Sequence, residues 1–319
     1  MSKENEKPEK DIVHDCVTIG AGPTALTAAI YTTREDIETL VLDKGVIGGL
    51  AAVTDWIDNY PGFPDGIAGL ELSDKLQKQA ERFGAKIDFV GVNSLARKNG
   101  IIELQTTIGV IKAKTVLIAT GSDYKRTGAP GEEEFYARGV HYCATCDGAF
   151  YRDKRLVVVG GGNSAVQEAL FLTRYASHID LLVRSKFRAS DILVQELEKH
   201  KDKVTVRLGT TTDSINGKDG KVVSVSGTKD GKKVDFKTDG VFVFVGLKPN
   251  TEFLAGSGVE LDEIGMVKSD DKMQTNVEGI FAAGDVRSGA TMQIASAAGE
   301  GATAALSIRK YLEDLERNE

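Results

Sequence analysis

Cysteine, histidine, proline and tryptophan are all scarce in this chain: three, four, six and one among 319 residues. Three cysteines exclude a secreted disulfide framework, and with only four histidines they leave no ligand set for a zinc centre, so no metal is expected. Long apolar runs are missing too. The longest, at 116–119 and 241–246, are strand-sized, far short of the roughly 18 residues of a membrane span. Residues 1–11 are rich in Lys and Glu and hold no apolar segment, which excludes a secretory signal and predicts a disordered tail. Charge of one sign does not dominate either: 40 Lys and Arg face 47 Asp and Glu, for a net charge of −7. Nucleic acid is therefore not expected as a partner, nor is a membrane, and the expected location is cytoplasmic.

Glycine, by contrast, is abundant at 35 residues, and its placement reveals an internal repeat. Residues 17–34 (VTIGAGPTALTAAIYTTR) and 157–174 (VVVGGGNSAVQEALFLTR) agree at seven of eighteen positions, including Gly20/Gly160, Gly22/Gly162 and Ala25/Ala165. Each copy runs from an apolar strand through G-x-G-x-x-A into an amphipathic helix. The first glycine makes a tight turn, and the second lets backbone approach a pyrophosphate. The small alanine packs helix on strand, and the helix N-terminus offers free N–H groups to phosphate. Two copies in the same context predict two dinucleotide sites.

The next strand carries the ribose-reading position. In the first copy it ends at Asp43, 23 residues after Gly20, where a carboxylate accepts from ribose hydroxyls and repels a 2′-phosphate. In the second copy the strand 179–183 leads into Arg184, Ser185, Lys186, Phe187 and Arg188, with Arg184 24 residues after Gly160. Cations stand where the acid would be and suit a 2′-phosphorylated cofactor. One half is thus read as an FAD site and the other as an NADPH site.

After the first copy come a glycine-rich stretch at 45–49, a turn-forming loop at 54–63, helical spacing at 70–83, and an alternating β-meander over 86–120 closing in VLIATG. Within the second half, 203–237 reads as β-hairpins with turns at Asn216-Gly217, Asp219-Gly220 and Asp230-Gly231. From Leu247 the chain returns to the first domain. There GIFAAGD (279–285) places Gly284 and Asp285 at a strand tip, where a carboxylate binds a polyhydroxyl chain, before a long helix starting near Met292. The expected class is α/β, with two Rossmann-like dinucleotide-binding domains of three ββα layers. The second (122–246) is inserted into the first (12–121 plus 247–319).

Cys143 and Cys146 form a Cys-x-x-Cys pair just before the second nucleotide strand. No second pair exists to complete a metal site, so the pair reads as redox-active, its spacing bringing the thiols together and favouring one thiolate. Asp147, next to Cys146, is placed to protonate a leaving thiolate. Cys16 opens an apolar strand and reads as buried and inert.

These residues resemble the low-molecular-weight thioredoxin reductases over nearly the whole chain after the tail. The match includes GAGPTA (20–25), NYPGF (59–63), ATG (119–121), CATCDG (143–148), GGGNSA (160–165), FRA (187–189) and GIFAAGD (279–285). The resemblance implies a homodimer that passes electrons from NADPH to FAD, then to Cys143–Cys146, then to the disulfide of a thioredoxin-like protein, with one domain rotating against the other. It implies that Cys146 faces the flavin, Cys143 attacks the partner, Asp147 is the acid and Arg138 helps to dock thioredoxin. For FAD it implies Gly20, Gly22, Pro23, Thr24, Asp43, Lys44, Gly49, Asn59, Ala119, Thr120, Gly121, Gly284, Asp285, Gln293 and Ile294. For NADPH it implies Gly160, Gly162, Asn163, Ser164, Ala165, Arg184, Ser185, Lys186 and Arg188.

Three stretches depart from the family pattern. H-R-R-x-x-F-R has become Val183-Arg184-Ser185-Lys186-Phe187-Arg188, one residue shorter and without its His. Arg-Gln-Ala before the last helix has become Met292-Gln293-Ile294, and Gly-Gly-Gln has become Gly48-Gly49-Leu50, with Trp56 in the following loop. These changes keep open NADH, ferredoxin or reduced deazaflavin as donor and a peroxiredoxin or other dedicated redoxin as partner. A non-catalytic flavin redox sensor is the remaining alternative, against which the intact Asp147 and CATCDG speak.

Overall fold

A computed structural model describes residues 12–54 and 56–318; the tail expected at 1–11 lies outside them. The chain divides into two compact units, one of residues up to 123 and from 248, the other of residues 124–247. The cuts read from the sequence were 121/122 and 246/247.

In the first unit, β1 (Val13–Ile19), α1 (Pro23–Arg34), β2 (Thr39–Asp43), α2 (Gly69–Arg82) and β3 (Lys86–Phe89) precede a meander of β4 (Val92–Lys98), β5 (Ile101–Thr106) and β6 (Gly109–Ile118). The sheet order is β3-β2-β1-β6-β5-β4. β6 serves twice. Its start pairs antiparallel with β5, and its end runs parallel to β1. Strand alternation then sorts the side chains into layers. Val17, Ile19, Val116 and Ile118 meet Leu95, Ile102 and Leu104 of the meander, while Cys16 and Leu117 meet Ala25 and Ala28 of α1. The meander is shorter than its alternation suggested. β3 lies parallel at the sheet edge beside β2, because it returns from a crossover helix rather than a hairpin.

The second unit runs through β7 (Val140–His141), α3 (Ala144–Asp147), β8 (Arg155–Val159), α4 (Asn163–Leu172), β9 (His178–Val183), α5 (Asp191–Glu198) and β10 (Val204–Leu208). A second meander follows, β11 (Ser214–Lys218), β12 (Lys221–Lys229) and β13 (Lys232–Lys237), before β14 (Gly240–Val243) closes the parallel sheet β10-β9-β8-β14-β7. Leu156, Val158 and Phe242 face Val166, Ala169 and Leu172 of α4; Val157, Val159, Val241 and Val243 face Ile215, Val222, Val225 and Phe236 of the meander. Two of the three expected turns are present, at Asp219-Gly220 and Asp230-Gly231. Asn216-Gly217 instead lies inside β11, at a shift of register against β12. The Phe135 ring occupies the room a side chain on Gly217 would need, so this glycine serves packing rather than a turn.

The returning chain adds β15 (Ile280–Ala282), parallel to β6, and α6 (Ile294–Asn318), whose Ala304, Ala305 and Ile308 pack on α1. Each unit is thus a meander, a parallel sheet and a helical layer, the two Rossmann-like ββα stacks of an α/β protein. Among the described residues, no helix is long and apolar enough to cross a membrane.

Candidate redox and dinucleotide sites

The two glycine loops are built alike, bond for bond. Gly20 N–H donates to Leu42 O (2.8 Å) and Ala119 N–H to Ile19 O (2.9 Å); Gly160 N–H donates to Leu182 O (3.0 Å) and Phe244 N–H to Val159 O (2.8 Å). Both first glycines are sterically required. A methyl on Gly20 (φ +104°) would lie 2.4 Å from the Ala119 carbonyl oxygen, and one on Gly160 (φ +147°) 2.3 Å from that of Phe244. Gly22 and Gly162 differ, with no atom within 4 Å of where a side chain would start. Each precedes a helix, α1 or α4, whose first turn has neither a side-chain cap nor an acidic residue. Bare N–H groups at a positive helix end, with room before them, fit a pyrophosphate.

At the tip of β2, Asp43 accepts from Ala21 N–H through Oδ2 and from Gly45 N–H through Oδ1, both at 2.6 Å. The carboxylate is thereby fixed, with acceptor capacity left on each oxygen. The matching bonds to Leu42 and Leu182 make Val183, not Arg184, the equivalent of Asp43. The cations thus begin one residue beyond the Asp43-equivalent position, and the acid's own place is taken by a buried valine. Arg184, Ser185, Lys186 and Arg188 are exposed, and no ion pair joins these three cations to a described residue. Their loop is held by backbone instead. Arg188 N–H donates to Gly161 O (2.7 Å) and Ser190 N–H to Asn163 Oδ1 (2.8 Å). Ser164 is exposed, and Ala165 is buried against Gly160.

The loop after β15 is organised by α6. Glu300 accepts from Gly284 N–H (2.8 Å) and is clamped by Arg287 through Nε (3.0 Å) and Nη2 (2.6 Å). Burial first, and the Glu300 charge second, push the neighbouring Asp285 carboxyl up to about 6. Thr24 of α1, next to Pro23, lies against Gly284. Asn59 Nδ2 donates to Gln293 Oε1 (3.0 Å), and Ile294 packs with Ile57, Tyr60 and Phe63. Gly49 sits over Gly22, and Asn250 ties down Thr120 and Gly121 beside Ala119. Lys44 is exposed, and its charge reaches Glu252.

Cys143 and Cys146 are joined as a disulfide, their Cα atoms 5.3 Å apart. Cys143 caps α3, and Cys146 N–H donates to its Sγ (3.2 Å). Asp147 N–H donates to Cys143 O (3.1 Å), so the acid sits one turn from the first sulfur. Behind the pair, Tyr142 O–H donates to Glu132 (2.7 Å). Burial alone would raise the Glu132 carboxyl, but donors on Thr127, Tyr142 and Gly128 outweigh it and hold that carboxyl below the usual range. Arg138 is exposed and donates to Glu134 O (2.7 Å). Cys16 is buried in the middle of β1 rather than at its start, and burial pushes its thiol up to about 12, where it is inert at neutral pH.

The pyridine nucleotide-disulphide oxidoreductase family matches residues 14–301. The thioredoxin reductase of Bacillus subtilis (strain 168) is 42% identical over 307 residues, covering 95% of this chain and 96% of its own. That of Listeria innocua is 42% identical over 306 residues, 95% of both chains. The crystal structure of thioredoxin reductase from Streptococcus pyogenes MGAS5005 superposes with a TM-score of 0.90 at 38% identity, covering 96% of this chain and 100% of that one. The chain belongs to the pyridine nucleotide-disulphide oxidoreductases, among the thioredoxin reductases. It is a flavin-dependent oxidoreductase, and the Cys143–Cys146 disulfide fits the redox-active disulfide of that family. A flavin and a pyridine nucleotide follow from membership, and the two open, uncapped glycine loops suit them.

Two polar clusters of this thioredoxin reductase fold escaped sequence reasoning. Arg287 and Glu300 lie thirteen residues apart, on a loop and a helix, and no motif marks the pair. His141 and Tyr151 flank the CATCDG run, but only the pleat of β7 shows that His141 turns toward α3 while Val140 and Tyr142 turn toward the meander.

Proposed function

We propose that this enzyme reduces the disulfide of a thioredoxin-like protein with electrons from NADPH, as a cytoplasmic homodimer. The observation that carries the reading is the Cys143–Cys146 disulfide on a short helix, in the same unit as a dinucleotide loop bordered by cations that form no ion pair with a described residue. FAD is assigned to the first unit. Its pyrophosphate goes to Gly20, Gly22, Pro23 and Thr24, its ribose to Asp43 and its sugar chain to Asp285. Ala119–Gly121 and Gly49 line its path, with Asn59, Gln293 and Ile294 at the ring; Lys44 is the weakest member. NADPH is assigned to Gly160, Gly162, Asn163, Ser164 and Ala165, with its 2′-phosphate on Arg184, Ser185, Lys186 and Arg188.

When bound, FAD supplies to the disulfide an electron pair taken as hydride from the nicotinamide. The rest is sulfur chemistry of this chain. Reduction breaks the Cys143–Cys146 bond, and the Cys146 N–H aimed at Cys143 Sγ favours a thiolate there. That thiolate attacks the partner's disulfide; a mixed disulfide forms, and the departing partner thiolate takes a proton from Asp147. The Asp147 carboxylate left behind takes the proton of the Cys146 thiol, whose thiolate then attacks Cys143 Sγ, restoring the internal bond and releasing the second partner thiolate. With flavin bound, NADPH should drive many turnovers of an oxidised thioredoxin. Turnover with no thioredoxin-like disulfide under any donor would overturn the reading and favour a sensor.

Asp285 makes the flavin assignment testable by pH. Its folded-state carboxyl is raised to about 6, so its contribution to stability is full below the ordinary carboxylate value near 4 and is lost as pH rises through about 6. Hydroxyls donating to the carboxylate favour its charged form and pull the value down. FAD binding to the apoprotein at pH 6 should therefore release protons, seen as a dependence of calorimetric heat on the buffer's ionisation enthalpy. Asp285→Asn should abolish that dependence. Equal proton release by the variant would remove Asp285 from the site.

A further inference from the structure

The reaction above leaves a buried imidazole beside the redox pair without a role. His141 is 7% exposed and bridges two groups beside the redox pair. Its Nδ1 lies 3.2 Å from Asp147 Oδ2, and its Nε2 lies 2.7 Å from Tyr151 Oη. The ring is stacked on Phe242 of β14 (centroids 5.2 Å apart, planes at 29°) and meets Tyr151 edge-on (5.3 Å, 71°). Tyr151 is itself fixed, because its ring fills the room a side chain on Gly240 would need. Three elements thus hold the imidazole in one plane.

We propose that His141 is a positioning residue for the proton on Asp147, with Tyr151 selecting its tautomer. The proposal rests on the reading of Asp147 as the acid that serves the leaving thiolate. Burial first, then the charges of Asp147 and Asp239, raise the Tyr151 phenol, so it keeps a proton that it can donate to Nε2, the arrangement this proposal assigns. A neutral ring that accepts at Nε2 carries its hydrogen on Nδ1, and the Nδ1–H faces Asp147 Oδ2. Engaging Oδ2 from 3.2 Å away, that N–H orients the carboxyl and leaves Oδ1 as the oxygen that carries the transferable proton. In the step served, the O–H bond on Oδ1 breaks, an S–H bond forms on the partner's departing sulfur, and the carboxylate left behind is held by Nδ1–H. No electrons pass through His141. The groups facing its ring are Asp147 from α3, Tyr151 from the turn after it and Phe242 from β14; Asp239 acts on Tyr151.

The experiment uses full-length, flavin-loaded enzyme whose cysteine pair has been reduced beforehand, mixed with either of two small disulfides. Hydroxyethyl disulfide leaves as a basic thiolate that needs a proton; an aromatic nitrobenzoate disulfide leaves as a stable thiolate that needs none. His141→Ala should slow reaction with the aliphatic disulfide on the order of tenfold and change the aromatic one by less than about twofold. His141→Asn keeps an N–H near the Nδ1 position and should recover most of the loss. Tyr151→Phe keeps the packing, releases the tautomer, and should show the same selective pattern at smaller size, even where His141→Ala folds poorly. Equal slowing with both disulfides, or no selective loss in Tyr151→Phe, overturns the proposal. Asp147→Asn separates the two claims. A selective loss there with none in the His141 and Tyr151 variants defeats this inference alone, whereas no selective loss in Asp147→Asn defeats the acid assignment beneath it.

Discussion

Cys146→Ser stops turnover and captures the partner on Cys143. Serine neither stores an electron pair with Cys143 nor attacks its sulfur, so both halves of the cycle fail and steady-state disulfide reduction falls to background. The first exchange survives. Cys143 keeps its sulfur, and the residue 146 N–H that donates to it belongs to the backbone and is retained by serine. A partner offering one activated cysteine should therefore join the variant in a mixed disulfide that persists until reductant is added. Peptide mapping should find it on Cys143. The reciprocal Cys143→Ser should also lose turnover, retain flavin and form little adduct. Flavin retention separates lost chemistry from lost folding, since the glycine loops assigned to FAD lie in the other unit. An adduct on Cys146 in a Cys143→Ser background, with none in Cys146→Ser, would reverse the two roles.

Arg184→Ala raises the KM for NADPH on the order of tenfold and leaves that for NADH nearly unchanged. The loop 184–190 is fixed by its own backbone, through Arg188 N–H on Gly161 O and Ser190 N–H on Asn163 Oδ1, so removing one guanidinium leaves its path intact. What is lost is a charge-assisted contact that only a 2′-phosphate can make. The buried Val183 at the Asp43-equivalent position strengthens the argument, because no carboxylate opposes that phosphate. Combining Arg188→Ala should deepen the effect, and higher salt should weaken NADPH selectively. An equal change for both nucleotides would show that the cations do not read the phosphate. NADH, ferredoxin or deazaflavin would then stand ahead as donor.

Much of the architecture was legible because it depends on patterns short in sequence. The Gly20 and Gly160 loops announce themselves through steric need, and the turn residues within 203–237 give the second meander over 214–237, although Val204–Leu208, read as part of the hairpins, is a parallel strand beside β9. What failed depended on partners distant in the chain. Asn216-Gly217 has turn composition, yet Gly217 is small because Phe135 lies on it. Residues 86–89 alternate like the meander that follows, and only pairing with β2 shows them to be a parallel edge strand. The position of Arg184 was off by one residue, because counting from a glycine does not fix which strand residue bonds back to it. At the redox pair, Cys143, Cys146 and Asp147 were evident from spacing. His141 and Tyr151 were not, since their meeting requires the pleat of a two-residue strand and the turn after α3.

The central claim is that a reduced pyridine nucleotide delivers electrons through the flavin to Cys143–Cys146 and on to a thioredoxin-like disulfide. Its most direct test is an anaerobic titration of the flavin-loaded protein, first with NADPH and separately with NADH, following the visible flavin band, then adding oxidised thioredoxin. The account predicts rapid bleaching by NADPH, slower bleaching by NADH, and recovery of the band as thioredoxin is reduced. A band untouched by either nucleotide but bleached by dithionite would contradict it.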